Sequence, residues 1–493
     1  MKALFSLLIS ILVAAPAHAA NWSGPIPETP ASHIFAPVVL PGTAEQRALD
    51  RAGYVQQEYL LSGTASIYDQ AAGGGLTVKA AGVPYTTRLL IVKPRDPRRF
   101  NGIVQLGFTH PQMASNQWGR IDALTLRSGS AYAMLVIGGD PGTRQRSTAQ
   151  WPVSTPLLFP WYDPARYAAF RWLEDDGIRW DVIGQAATAL RSGEAGGPLA
   201  GMRVRRIYMS GWSFLGSLVR SWIAFGFHDR YRQADGRPLI DGYLAGISAG
   251  SVNAGHVPLN SSVEVRKDPG RALVRPIDVP LIELTSEYEA LTNTDAQSPD
   301  ADGVRGGHRL YELGGVSHGN SGVAGQTRAS VPQLLARRHP ATEPPVRCIV
   351  PDSDVPMRDI AQAALVNLDR WVSEGVAPPR AARLALAPGG KDFRRDPFGN
   401  AVGGIRAAQL DVPLVHYAEP SAALCGGKVP MRMFKQLPVS PALLRRRYPG
   451  GRAQYLREFD ARIDALVRDR WLLAPDAAAQ KAAARFNARV LVR

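Results

Sequence analysis

Short apolar runs punctuated by glycine and proline recur through the first two thirds of the chain. Gln57–Tyr68, containing EYLLSGTASIY, alternates loosely between apolar and polar positions and predicts a strand. Tyr85–Lys93 (YTTRLLIVK) and Gly102–Phe108 (GIVQLGF) predict two more, separated by the turn-like PRDPRRFN. A helix near Trp118–Ser128 leads to a strand over Tyr132–Ile137 that ends in Gly138-Gly139-Asp140. Residues 140–165, rich in proline and aromatics, read as a loop that forms a lid or pocket wall. Beyond the helical pattern Asp181–Arg191 come Ile207-Tyr208-Met209, Asp241–Ser248, Val279–Thr285 and Arg309–Leu313, all short and apolar. Each is separated from the next by enough chain for a crossover. That alternation predicts an α/β fold with a mostly parallel sheet and helices on both faces.

From about Ser330 the rhythm changes. An amphipathic helix is expected over Arg358–Glu374, then a proline-rich join, GNAVGGIR at 399–406, and helical patterns over Ala453–Val467 and Asp476–Val490. By pattern alone this last third is either an extension packed on the core or a small separate lobe. At the other end, Lys2, the apolar stretch Leu4–Ala15 and Ala17-His18-Ala19 have the layout of an export signal cut after Ala19. A proline-rich arm over 20–47 follows, and the core is drawn as 48–329. The expected location is periplasmic or secreted, with no stable membrane insertion, since the apolar run is too short to span a bilayer.

Composition adds limits to this picture. With 45% apolar and 20% charged residues the chain can bury a sizeable core. The net charge of +15 is spread over scattered arginines, without zinc-finger spacing or an RNA-binding aromatic motif, so nucleic acid is not an expected partner. Histidines are dispersed, with no His-Glu-x-x-His pattern, and neither metal nor cofactor is expected. Cys348 and Cys425 are an even pair in a chain expected to reach an oxidising compartment, which makes one disulfide a reasonable expectation.

The candidate chemistry centres on residues 203–218, RVRRIYMSGWSFLGSL. They read as strand, tight turn and helix with Ser213 at the apex, beside the free N–H groups of a helix start. The usual elbow is G-x-S-x-G; here the second glycine is displaced to Gly216. A nucleophilic serine needs a base, and His318 follows the strand RLYEL in the glycine-rich loop GGVSHGN. The base needs an orienting acid, and VPLIELT runs into Ser286-Glu287-Tyr288-Glu289. Spacing favours Glu289 slightly over Glu287, with Asp295 and Asp300 further out. A glycosidase pair at Glu287 and Glu289 is disfavoured because neighbours two apart seldom flank a sugar bond. Negative charge on a reacting carbonyl would meet the N–H of Phe214 and one from the Phe108–Thr109 region. His110, next to that region, reads as pocket-lining or structural.

These segments together resemble a bacterial family of exported α/β-hydrolase-domain proteins. The resemblance runs through YLLSGTASIY, YTTRLLIVKPRDPRRFNG, RRIYMSGWSFLGS, SEYE, GVSHGN, LVNLDRWVSEGVAPPR and GNAVGGIR. It implies the α/β-hydrolase fold, the nucleophile and base roles for Ser213 and His318, and a C-terminal third (330–493) packed on the same unit. The chain departs from the family pattern at Trp212, where an acidic or polar residue is common, and at Glu289, where aspartate is common. The expected activity is hydrolysis of a small-molecule ester through an acyl-enzyme. The aromatic stretch Trp151–Trp172 is expected to suit an apolar or aromatic acyl or alcohol group. Acyl transfer by the same triad, or binding without catalysis on a hydrolase fold, are the alternatives.

Overall fold

The computed structural model describes residues 20–492, except 72–74, 140, 149, 173–174, 249–256, 261–272, 293–296, 319–328, 341–346 and 428–432. The signal-like segment 1–19 and Asp295 therefore lie outside the described residues. Nine strands form one sheet in the order β1-β2-β3-β5-β4-β6-β7-β8-β9. They are β1 (Asn21–Ser23), β2 (Tyr54–Gln70), β3 (Leu76–Pro94), β4 (Ile103–Thr109), β5 (Ala131–Val136), β6 (Arg206–Trp212), β7 (Gly242–Gly246), β8 (Leu281–Ser286) and β9 (His308–Leu313). From β5 to β9 every neighbouring pair is parallel, and β1, β2 and β3 join antiparallel. β2 and β3 extend well past the runs that predicted them, with bulges near Ala65 and Ile67.

Period-two alternation decides which helices cover which face. Leu89, Ile91, Leu106, Ala133, Met209 and Ala245 point to one side, where helices Arg179–Ser192 and Phe214–Ala224 bury Trp180, Leu190, Leu218 and Trp222 on them. Leu90, Val92, Met134, Tyr208, Leu244 and Ile282 point to the other, under helix Met357–Glu374. The start of the last third thus supplies part of one covering layer of the sheet, together with Ile34, Val38, Leu49, Trp118 and Ile121. Helices Gly451–Arg468 and Ala474–Asn487 form a further apolar cluster around Tyr455, Phe459 and Ile463. Arg127 reaches across to Asp476 at 2.6 Å, and Tyr311 of β9 meets Trp471 edge to face. Two strands outside the main sheet, β10 (Val415–Ala418) and β11 (Lys435–Pro438), pair antiparallel. Cys348 and Cys425 are joined by a disulfide.

Two local expectations change. The segment 140–165 contains helices Pro141–Arg146 and Thr155–Tyr162, because proline is well tolerated in a helix's first turn and Pro156 occupies such a place. Of its aromatics, Phe159 and Tyr162 do not line an open wall: they pack with Phe35, Tyr167 and Phe170 as a small core of their own. The arm is held down as well. β1 extends the sheet, Ile34, Phe35, Val38 and Val39 are buried, and the boundary drawn at 47 falls inside the helix Ala44–Arg51. Among the described residues no helix is long and apolar enough to cross a membrane.

Candidate active site

The parallel strands all deliver their carboxyl ends to one edge of the sheet, where such folds place ligands. Ser213 follows β6 there with φ 59° and ψ −125°, a strained backbone for a residue with a Cβ. The strain is held by hydrogen bonds on both sides: Ser213 N–H donates to Gly246 O at 2.9 Å, and Ser217 N–H donates to Ser213 O at 3.0 Å. The flanking glycines are there for space. A Cβ on Gly211 would stand 2.0 Å from Leu215 O, where the helix doubles back over the strand. One on Gly216 would stand 2.5 Å from Gly246 O and 2.9 Å from Ser248 Oγ. In this turn the helix meets β7 at Gly216, while Leu215 is fully buried in the core. The displaced glycine of the motif is the one the packing requires. Gly216→Ala should therefore lower unfolding stability by about 1–3 kcal/mol in urea titration, since a backbone oxygen cannot step aside. A variant as stable as the parent would remove this account of the motif.

His318 lies beyond β9 and is about a quarter exposed. Its Nε2 is 2.8 Å from Ser213 Oγ and its Nδ1 is 2.5 Å from Glu289 Oε1. Glu289 is completely buried, and its other oxygen accepts the Ser286 hydroxyl. These distances leave the imidazole bridging a hydroxyl and a carboxylate. Glu287, the second candidate acid, points elsewhere. It accepts the Gly315 N–H at 2.8 Å and pairs with Arg395. Burial pushes the Glu287 carboxyl up, against the Arg395 guanidinium and the Gly315 N–H. Its contacts anchor the loop that carries the histidine. Asp300 is also remote, accepting from Leu310 N–H at the start of β9.

The last third fastens the same loop. Ser353 Oγ donates to Gly315 O at 2.6 Å, and Phe434 N–H donates to Ser317 Oγ at 3.0 Å. Gly315 has φ +73°, and a Cβ there would press on Val355.

Phe214 opens the helix after Ser213, where the first N–H groups have no carbonyl one turn back to bond. Phe108 and Thr109 are the last two residues of β4 itself. Their pairing with β5 continues to Thr109–Val136, whereas the ladder with β6 ends at Leu106–Met209. The backbone of Phe108 and Thr109 on the β6 side is thereby released next to the serine turn. His110 accepts the Gln112 N–H at Nδ1, and its ring meets Phe214 edge to face at 6.2 Å, a lining position.

Sequence reasoning did not find Ser286 as the second partner of Glu289, nor Gly246. A Cβ on Gly246 would lie 2.2 Å from the Trp212 ring, so the glycine is what admits a tryptophan beside the serine. The bulk of Trp212 was the available signal: a large side chain there demands a small one on the adjoining strand. Among the described residues no group of three or more His, Cys, Asp or Glu side chains is placed to hold a metal. A cavity of about 610 Å³ opens in the C-terminal third beside Tyr417, Tyr455 and Phe459; Ser213, His318 and Glu289 do not line it.

Residues 22–482 match the family model described as an alpha/beta hydrolase domain. No curated protein matches the chain. Among solved structures, the esterase Est22 is similar at 14% identity, with 49% of this chain and 66% of that one covered and a TM-score of 0.27. An esterase from Pyrobaculum calidifontis is similar at 13% identity over 60% of this chain and 90% of that one, TM-score 0.28. Est1E from Butyrivibrio proteoclasticus follows at 10% identity over 50% and 88%, TM-score 0.23. The chain thus spans slightly less than two thirds of Est22. With scores this low the family match alone carries the assignment.

Proposed function

We propose that this chain, which belongs to the alpha/beta hydrolase domain family, is an exported serine hydrolase that cleaves a small-molecule ester through an acyl-enzyme on Ser213. One observation carries the reading: a single imidazole, that of His318, bridges Ser213 Oγ at 2.8 Å and Glu289 Oε1 at 2.5 Å. His318 Nε2 takes the hydroxyl proton as Oγ attacks the ester carbonyl. The oxyanion is received by the Phe214 N–H at the helix start, with a second donor from the released Phe108–Thr109 backbone. As the intermediate collapses, the carbon–oxygen bond to the alcohol breaks and His318 returns the proton to the leaving alkoxide. Water, deprotonated by His318, then attacks the acyl carbonyl; as that intermediate collapses the bond to Ser213 Oγ breaks, His318 returns the proton to Oγ, and the acid leaves. Glu289 holds Nδ1–H throughout, which leaves Nε2 as the basic nitrogen and stabilises the imidazolium.

Acyl transfer would replace that water by an alcohol and use the same atoms. Export rests on Lys2, Leu4–Ala15 and Ala17-His18-Ala19, and the Cys348–Cys425 disulfide accords with an oxidising compartment. One experiment addresses both parts. A fluorophosphonate probe applied to protein recovered outside the cytoplasm should give one adduct, mapped to Ser213, on a chain beginning at Ala20. Absence of labelling in folded protein would sink the nucleophile, and a chain retaining residues 1–19 would sink export as drawn.

A further inference from the structure

The cavity of about 610 Å³ in the last third takes no part in the proposed chemistry. Its size is that of a small-molecule site, about 300–1,000 Å³. Leu444, Tyr455, Phe459 and Tyr417 form the buried part of its wall. Helix Ala474–Asn487 and the turn after it bring the exposed residues Ala483, Phe486, Arg489 and Val490 to its mouth. Phe486 is 64% exposed and Val490 51%, apolar surface that an occupant would cover. A chamber with such a wall and rim selects a ligand with an apolar body, because removing both surfaces from water is favourable.

Two carboxylates interrupt the apolar lining. Asp354 precedes helix Met357–Glu374 and Asp359 lies in its first turn, and both line the cavity. Asp354 accepts the Tyr417 hydroxyl at 2.6 Å and the Asn487 side-chain N–H at 3.3 Å. Asp359 accepts the Gln480 side-chain N–H at 2.8 Å. All three partners are neutral, since burial pushes the Tyr417 phenol well up and keeps it a donor. Among the described residues neither carboxylate is in an ion pair. Arg358 and Arg127, whose charges reach Asp359, are bound to Asp122 at 2.7 Å and to Asp476 at 2.6 Å. Burial pushes both cavity carboxyls up, the cost of a negative charge in apolar surroundings without a counter-ion. Arg489, the cation of the lining, is exposed at the rim, 4.5 Å from the centre of the Phe486 ring.

We propose that this cavity is a second binding site, for an organic ammonium ion with an apolar body, held by the carboxylates of Asp354 and Asp359. An ammonium brings the counter-charge that both carboxylates lack and N–H donors for the lone pairs that their neutral partners leave over. The Tyr417, Tyr455 and Phe459 rings pack on the apolar body and attract a cation. An anionic amphiphile would instead meet two carboxylates in the lining and one exposed arginine at the rim. The site does not depend on the reading of Ser213, because Ser213, His318 and Glu289 do not line it.

Calorimetric titration of the full chain with n-octylammonium, n-octanol and n-octanoate separates the charge from the chain. n-Octylammonium should saturate one site and bind at least about tenfold tighter than n-octanol, the advantage of a charged over a neutral hydrogen-bond donor, with n-octanoate weakest. Asp354→Asn and Asp359→Asn should each weaken the ammonium by about tenfold or more and leave n-octanol within about twofold of the parent. Ala483→Trp places a large ring at an exposed position of the mouth and should weaken both ligands by about tenfold or more, with the urea midpoint kept. Tighter binding of n-octanoate, equal binding of all three, or no saturable binding overturns the ligand class. Parental affinity for n-octylammonium in the aspartate variants overturns the site. If Asp354→Asn does not fold, Asp359→Asn and Ala483→Trp decide: loss of ammonium binding in both supports the proposal, and its retention in either overturns it.

Discussion

Ser213→Ala should lower kcat for a short-chain p-nitrophenyl ester by at least about 10⁴-fold, because it removes the hydroxyl that the His318 imidazole is placed to deprotonate. Ser213 Oγ is the atom 2.8 Å from His318 Nε2, and the turn that presents it is held by backbone hydrogen bonds that an alanine keeps. Urea unfolding should change by less than about 1 kcal/mol. KM should stay near the parent value, since the hydroxyl reacts with the ester more than it binds it. A variant that retains a tenth of parental turnover would exclude Ser213 as the nucleophile, and with it the acyl-enzyme.

Glu289→Gln carries the second largest expected effect, a fall in kcat of about 10³- to 10⁴-fold. The reason is tautomeric. On the proposed reading the carboxylate, 2.5 Å from His318 Nδ1, accepts the Nδ1–H and leaves Nε2 to take the serine proton. A glutamine that turns its amide N–H toward Nδ1 selects the opposite tautomer, and Nε2 then carries a proton and cannot act as base. Glu287→Gln should behave differently. That residue bonds Gly315 N–H and Arg395, so its loss should loosen the histidine loop and lower stability, with kcat held within about tenfold. Measuring kcat and the unfolding midpoint for both variants separates the two carboxylates. If Glu287→Gln shows the larger loss of kcat at unchanged stability, the roles are exchanged.

Much of the scaffold was legible because its signals are local. The apolar runs that became β4, β5, β7, β8 and β9 end within about two residues of their final bounds, since a strand buried on both faces must be short and apolar whatever its neighbours, while β6 runs on past Ile207-Tyr208-Met209 to Trp212. The serine turn was legible for the same reason: a strand, a glycine and a small-residue helix start are adjacent in the chain. The segment 140–165 was misread because proline counts against a helix by propensity, while its aromatics are used by a distant partner, Phe35, that no local pattern reveals. The acid stayed open between Glu287 and Glu289 because both follow β8 at the start of one helix. Only the directions of their side chains, one toward His318 and one toward Arg395, separate them.

The sequence by itself determined the order of the parts: a strand ending near Phe108, a turn at Ser213, carboxylates after the next strands and a histidine after the last. Order is enough because each part is built from residues close together in the chain. Tertiary structure alone decided which groups meet. His318 comes from 105 positions beyond Ser213 and 29 beyond Glu289, and it reaches both only because three parallel strands end at the same edge. It alone decided that Gly216 is needed against β7, that the last third pins the histidine loop, and that Arg120 is buried bare on Trp212. In the sequence Arg120 is one arginine among many. Its burial against Trp212 is a property of a place in the fold and of no stretch of chain.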